Sequence, residues 1–205
     1  MVELRARPAM AARALEFAIL TASRTGAVRL ATWREMNLQD GIWTAPAEHM
    51  KANREHRVPL SSAALAILRE VRPLATGDDA LVFPGARLHR PLSDMALLTL
   101  LRRMNGRGKG EPRWRDAVSG EPIVPHGFRS TFRDWAGEAT AHPREVVEAA
   151  LAHRLGSKAE LAYARGDLFA KRRRLMEDWA EFCGRAHLAV VNATELRSNM
   201  AIEEA

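Results

Sequence analysis

Arg24, Lys51, His126 with Arg129, His153 and Tyr163 are the side chains of this sequence whose types suit joint action on an anion. Guanidinium groups offer directed, charge-assisted hydrogen bonds to an oxyanion. Lysine and histidine can carry protons. A phenol, with a reference pKa of about 10, becomes a nucleophile when nearby cations or a neutral histidine help it lose its proton. Tyr163 is the only tyrosine in the chain. Taken singly, a helical His-Arg pair is usually a solvated surface feature and a lone tyrosine an amphipathic residue at the core edge. The ordered set carries the argument.

His126 and Arg129 are three apart, so a helix starting at Pro125-His126-Gly127 places them on one face and turns Phe128, Phe132 and Trp135 inward. Upstream, the alanine-rich stretch Pro8 to Ser23 predicts a helix that delivers the chain to Arg24-Thr25-Gly26, where the glycine permits a turn and leaves Arg24 at an element boundary. Residues 36–60 alternate in short apolar segments, Ile42 to Ala45 and His56 to Leu60, with Asp40-Gly41 as a two-residue hairpin signal; a small antiparallel sheet of two or three strands is expected. Between the last two strands the polar turn Glu48 to Glu55 projects Lys51 and Arg54 outward.

Ser61-Ser62 caps a helix that Pro73 stops, and Ser93 opens another carrying Met95, Leu98, Leu101 and Met104. Residues 105–125, rich in Gly, Pro and charge, read as a loop. Pro143 begins a helix through Val146, Val147 and Ala150 that ends near His153, and Phe169 to Cys183 forms the last helix. Lys171 to Arg174 sit at its start, where positive charge opposes the macrodipole; phosphate contact explains such a run, as does surface solvation. The fold class is mainly α with a small antiparallel β-sheet. The expected organisation is one domain over 1–184 followed by a tail, 185–205.

The chain has 205 residues, 47% of them hydrophobic, enough for one sizeable core without a metal or disulfide staple. A net charge of +6 favours a polyanionic partner such as nucleic acid. The single cysteine, Cys183, excludes an internal disulfide framework and a cysteine metal cluster and reads as an apolar filler. No apolar run is long enough to cross a bilayer, and a cytoplasmic location is expected.

Five motifs follow one another in order: Thr21-Ala22-Ser23-Arg24-Thr25-Gly26, Met50-Lys51 with Arg57-Val58-Pro59-Leu60-Ser61, His126-Gly127-Phe128-Arg129, Leu151-Ala152-His153, and Ala162-Tyr163-Ala164-Arg165-Gly166-Asp167. In this order the chain resembles the catalytic domain of the tyrosine recombinases, the phage integrase family, over about Leu15 to Trp179. The resemblance implies that Arg24 and Arg129 clamp a scissile phosphate, that Lys51 is the hairpin-borne lysine, that His126 and His153 complete the phosphate site, and that Tyr163 is the nucleophile. Displacement at a phosphodiester builds charge on nonbridging oxygens, which two guanidinium forks can meet; Lys51 suits protonation of the leaving sugar oxygen. The product implied is a 3′-phosphotyrosyl link, resealed by the reverse attack, with no ATP, cofactor or divalent metal required. Arg54, Arg172 and Arg173 are the candidate DNA contacts beyond the site. The partners implied are double-stranded DNA attachment sites, other recombinase protomers on that DNA, and accessory DNA-bending or directionality factors, in the bacterial cytoplasm on the nucleoid.

Two departures from the family pattern stand out. The acidic residue usual three positions after the first arginine is Ala27 here, with Glu35 the replacement that composition offers. The N-terminal DNA-binding domain of full-length members is not in this sequence, so a piece of a longer protein is expected. Alternative readings are a recombinase-derived module that binds DNA with little cleavage, and a type IB topoisomerase-like enzyme.

Overall fold

The structure, a computed structural model, describes residues 1–87, 89–106, 111–153 and 167–185. At its centre lies α2 (Met10–Leu20), whose Ala12, Ala14, Leu15, Phe17, Ile19 and Leu20 are all buried. A helix apolar on most of its faces must be covered on most of its sides. The cover comes from α1 (Val2–Arg5), α3 (Thr25–Leu30), α4 (Ser62–Val71) and α5 (Ala96–Met104). The one acid in the centre of α2, Glu16, is buried and paired with Arg5 at 2.5 Å and Arg13 at 3.6 Å, which offsets the cost of removing its charge from water.

Three short antiparallel strands, β1 (Met36–Asn37), β2 (Ile42–Ala45) and β3 (His56–Pro59), form a sheet in the order β1-β2-β3. The register Trp43↔Val58 and Ala45↔His56 puts the buried Trp43, Ala45 and Val58 toward the helices, and Trp43 meets Phe17 at 5.6 Å between ring centroids. The expected two-residue turn at Asp40-Gly41 is longer. Asn37 pairs with Ile42, leaving Leu38 to Gly41 as the loop, and Asn37 Oδ1 accepts from the Asp40 amide at 2.9 Å before Gly41 takes a left-handed φ of 64°. An Asx-type contact closes this turn.

The remaining helices, α6 (Gly127–Ala139), α7 (Arg144–Ala150) and α8 (169–185), make a second packed group. Its aromatic contacts are Trp179 against Phe132 at 5.4 Å and against Trp135 at 5.1 Å. Trp179 Nε1 donates to the Ile19 carbonyl at 2.8 Å, which ties α8 to the end of α2. The α-plus-small-sheet class expected from sequence is the one observed.

Some local expectations shift. Helix α2 ends at Leu20 rather than Ser23, because Ala22, not Gly26, adopts the left-handed backbone (φ 47°), and Gly26 lies within α3. Helix α5 starts at Ala96 rather than Ser93, and it buries the expected Leu101 together with Leu97 and Leu100 in place of Leu98. Met95 stays exposed. Beyond Arg185, the expected tail lies outside the described residues.

Candidate active site

Arg24, Lys51, His126 and Arg129 line one open basin of about 510 Å³, together with Ser23, Ala27, His49 and Asp94. They arrive from separate elements. Arg24 is the extended residue that precedes α3. Lys51 comes from the β2–β3 connection, which forms a short 3₁₀ turn (Ala47–His49) before it. His126 and Arg129 open α6.

Arg129 is the fixed point of the site. It is buried, with 7% of its surface exposed, whereas the helical spacing alone placed it on an outward, charged face. Its guanidinium donates to the Ala22 carbonyl, to the Leu151 carbonyl at 2.8 Å and toward His153 Nε2 at 3.5 Å. Burial, followed by the nearby Arg24 charge, lowers its pKa to about 10. It therefore remains a cation at neutral pH. Both carbonyls adjoin left-handed, non-glycine residues: Ala22 itself, and Ala152 (φ 52°), which follows Leu151. Such backbone costs of order 1 kcal/mol at an alanine, and the guanidinium holds both turns in place.

His153 is oriented from two sides. Its Nδ1–H donates to Glu148 Oε2 at 2.7 Å, leaving Nε2 to accept from Arg129. Glu148 also receives Arg133 Nε at 3.2 Å. A second imidazole, His56 of β3, approaches the same turn, with Nε2 3.3 Å from the Ala150 carbonyl. Burial, then Arg172 and Arg129, lower its pKa to about 4, against the opposing effect of that hydrogen bond. His56 is thus neutral and donates its proton to the carbonyl.

The other predicted residues separate into groups. Arg54 is exposed near Lys51, free to meet a large ligand. Arg172 is not: it is 1% exposed, and it donates from Nε to the Asp167 carbonyl at 2.7 Å and from Nη1 to the Arg57 carbonyl at 2.6 Å. In place of the expected DNA contact, this residue ties α8 to β3, which accounts for one member of the basic run, the exposed Lys171, Arg173 and Arg174 being its others. Arg173 donates to the Asp40 carbonyl at 2.7 Å and lies over the Phe169 ring at 5.2 Å. Tyr163, the expected nucleophile, lies outside the described residues. His49 was missed. The polar turn that carries it was recognised, but nothing in the spacing Glu48-His49-Met50-Lys51 distinguished the imidazole from its solvated neighbours.

Among the described residues no helix is long and apolar enough to cross a membrane.

Residues 3–167 match the Phage integrase family. Prophage integrase IntZ of Escherichia coli (strain K12) is 34% identical over 168 residues, which cover 82% of this chain and 38% of that protein. Prophage integrase IntA of the same organism is 33% identical over 179 residues, 87% of this chain and 40% of that one, and the integrase of Enterobacteria phage P4 is 28% identical over 179 residues, 81% and 38%. The chain thus spans about two fifths of the length of these relatives. No solved structure matches it significantly. With a matched region that takes in most of the chain and supplies every described residue of the basin, the chain belongs to the phage integrase family.

Proposed function

We propose that this chain is the catalytic domain, over residues 1–184, of a site-specific DNA recombinase that cuts and rejoins a strand through a 3′-phosphotyrosyl intermediate. The observation that carries this reading is the convergence of Arg24, Lys51, His126 and Arg129 on one basin, with His153 joined to it through Arg129. Two guanidinium groups and a histidine around one basin suit the charge that develops on the nonbridging oxygens of a phosphodiester.

In this reading the Tyr163 oxygen attacks phosphorus and forms the O–P bond while the bond to the 5′ oxygen breaks. The phenol proton passes to a base in the site, and Lys51 protonates the departing oxygen. Double-stranded attachment-site DNA is the substrate, and further protomers assemble on it with accessory DNA-bending or directionality factors, on the nucleoid of a bacterial cytoplasm. Arg54 extends the contact along the backbone.

A nicked attachment-site duplex that sheds a short 5′-hydroxyl fragment tests the proposal, because resealing is then blocked and the covalent adduct accumulates on a denaturing gel. Wild type forms the adduct with or without EDTA; Tyr163→Phe binds DNA and forms none. Adduct from Tyr163→Phe, or cleavage that requires a divalent metal, overturns the mechanism. A second reading, a module that binds DNA without cutting it, draws on Ala27, which lines the basin where an acid would stand; DNA binding by wild type without adduct would favour it.

A further inference from the structure

We infer that His49 is a further catalytic residue of strand cleavage, positioned by Glu35, and that this pair takes the place of the carboxylate absent at position 27. The inference rests on the recombinase reading above.

Glu35 ends the 3₁₀ turn Trp33–Glu35, and its side chain is only 9% exposed. Donors fix it from several directions. The Trp43 indole donates to Oε2 at 2.8 Å, and the Thr32 amide and hydroxyl each donate to Oε1 at 3.1 Å. The indole belongs to a residue with no exposed surface, so the carboxylate cannot swing away without disturbing the core. Its next neighbour is His49, whose Nδ1 stands 3.5 Å from Oε1.

That nitrogen is buried and has no hydrogen-bond partner among the described residues. A buried polar atom left unmatched is costly, and a small rotation of the ring toward Oε1 would satisfy it. Such bonds are often long in unliganded sites and tighten when substrate arrives. With Nδ1 given to Glu35, Nε2 is the nitrogen left for a ligand in the basin that His49 lines.

The charges explain why the carboxylate works from behind the imidazole. The groups facing His49 are Arg24, Lys51, Asp94, His126 and Arg129 around the basin and Glu35 at its back. Asp94 already lines the basin, and a second carboxylate placed directly in it would add to the repulsion of a phosphate. From behind the ring, Glu35 can accept from Nδ1 and so turn Nε2 toward a nonbridging oxygen in the basin, to which a ring carrying both protons would donate. Ala27, 2% exposed and also lining the basin, offers no polar group there.

Single-turnover adduct formation on the nicked duplex tests this. His49→Gln is expected to slow adduct formation on the order of 10²-fold, with DNA affinity changed less than ~3-fold. Glu35→Gln is expected to slow the reaction to a similar degree, and the double variant to be no slower than the worse single, since the pair acts as a unit. If Glu35→Gln does not fold, His49→Gln carries the test through its split between rate and affinity, because that ring lies at the basin wall. Wild-type rates in His49→Gln, or a double variant with multiplied losses, overturn the inference. The recombinase reading would still stand provided Tyr163→Phe forms no adduct; adduct from Tyr163→Phe removes both.

Discussion

Arg172 and Asp167 close a ring across the start of α8: the guanidinium donates from Nε to the Asp167 carbonyl at 2.7 Å and from Nη2 to its carboxylate at 2.9 Å. The third donor reaches β3 at the Arg57 carbonyl. Arg172→Met removes all three bonds of this buried guanidinium, so a loss of about 2–4 kcal/mol is expected in urea unfolding. The salt dependence of DNA binding should not change, which a direct phosphate contact at this position would contradict.

His56 supplies a pH dependence with a definite sign. Its pKa in the folded protein is about 4, below the ordinary value of 6.5, so between those values the unfolded chain takes up a proton that the folded protein refuses. The stability it permits is fully present above about pH 6.5 and falls as pH drops toward 4, by about 3 kcal/mol in all. Unfolding midpoints at pH 7 and pH 4.5 should differ less in His56→Gln than in wild type. An equal difference in the two proteins would show that another group sets the slope.

Arg54 and Lys51 stand exposed on the β2–β3 connection, and Arg54 should behave as a plain phosphate contact. Neutralising ~4 phosphates predicts a log-log slope of affinity against salt of roughly −3 to −4, and Arg54→Ala should make it shallower by about 1. Fluorescence anisotropy over a salt series reads both numbers.

Cys183 is buried on α8, and burial pushes its thiol pKa up to about 12. Thiolate is the reactive form. The native protein should resist a thiol-specific reagent at pH 8, with labelling appearing only as urea unfolds the chain; rapid labelling without denaturant would place this face of α8 in solvent.

Much of the architecture was legible because it follows from local pattern. The alanine-rich α2, the alternating strands and the Phe132/Trp179 stripes each announce themselves within a dozen residues. Arg24, Lys51, His126 and Arg129 were also found together, because their order in the sequence was informative even where their spacing was not. What escaped depended on partners far along the chain. The burial of Arg129 requires carbonyls at positions 22 and 151. Arg172 is inward because position 57 offers an acceptor, and His49 acquires meaning only beside Glu35. Gly26 drew attention as the natural turn former, yet the turn fell on Ala22, where a tertiary contact outweighs the intrinsic preference of glycine.

The Arg172–Asp167 ring also acts as a mooring. Asp167 is held to α8 and, through Arg57 at 3.2 Å, to the sheet, and Tyr163 precedes it by four residues. A chain of that length extends at most roughly 14 Å between Cα atoms. In the proposed reaction the Tyr163 phenol would be a tethered reagent, its supply to a phosphate within reach set by the tether and independent of protein concentration. In that reaction, a phosphate farther from Asp167 than this tether plus the length of the tyrosine side chain would need a tyrosine from another molecule.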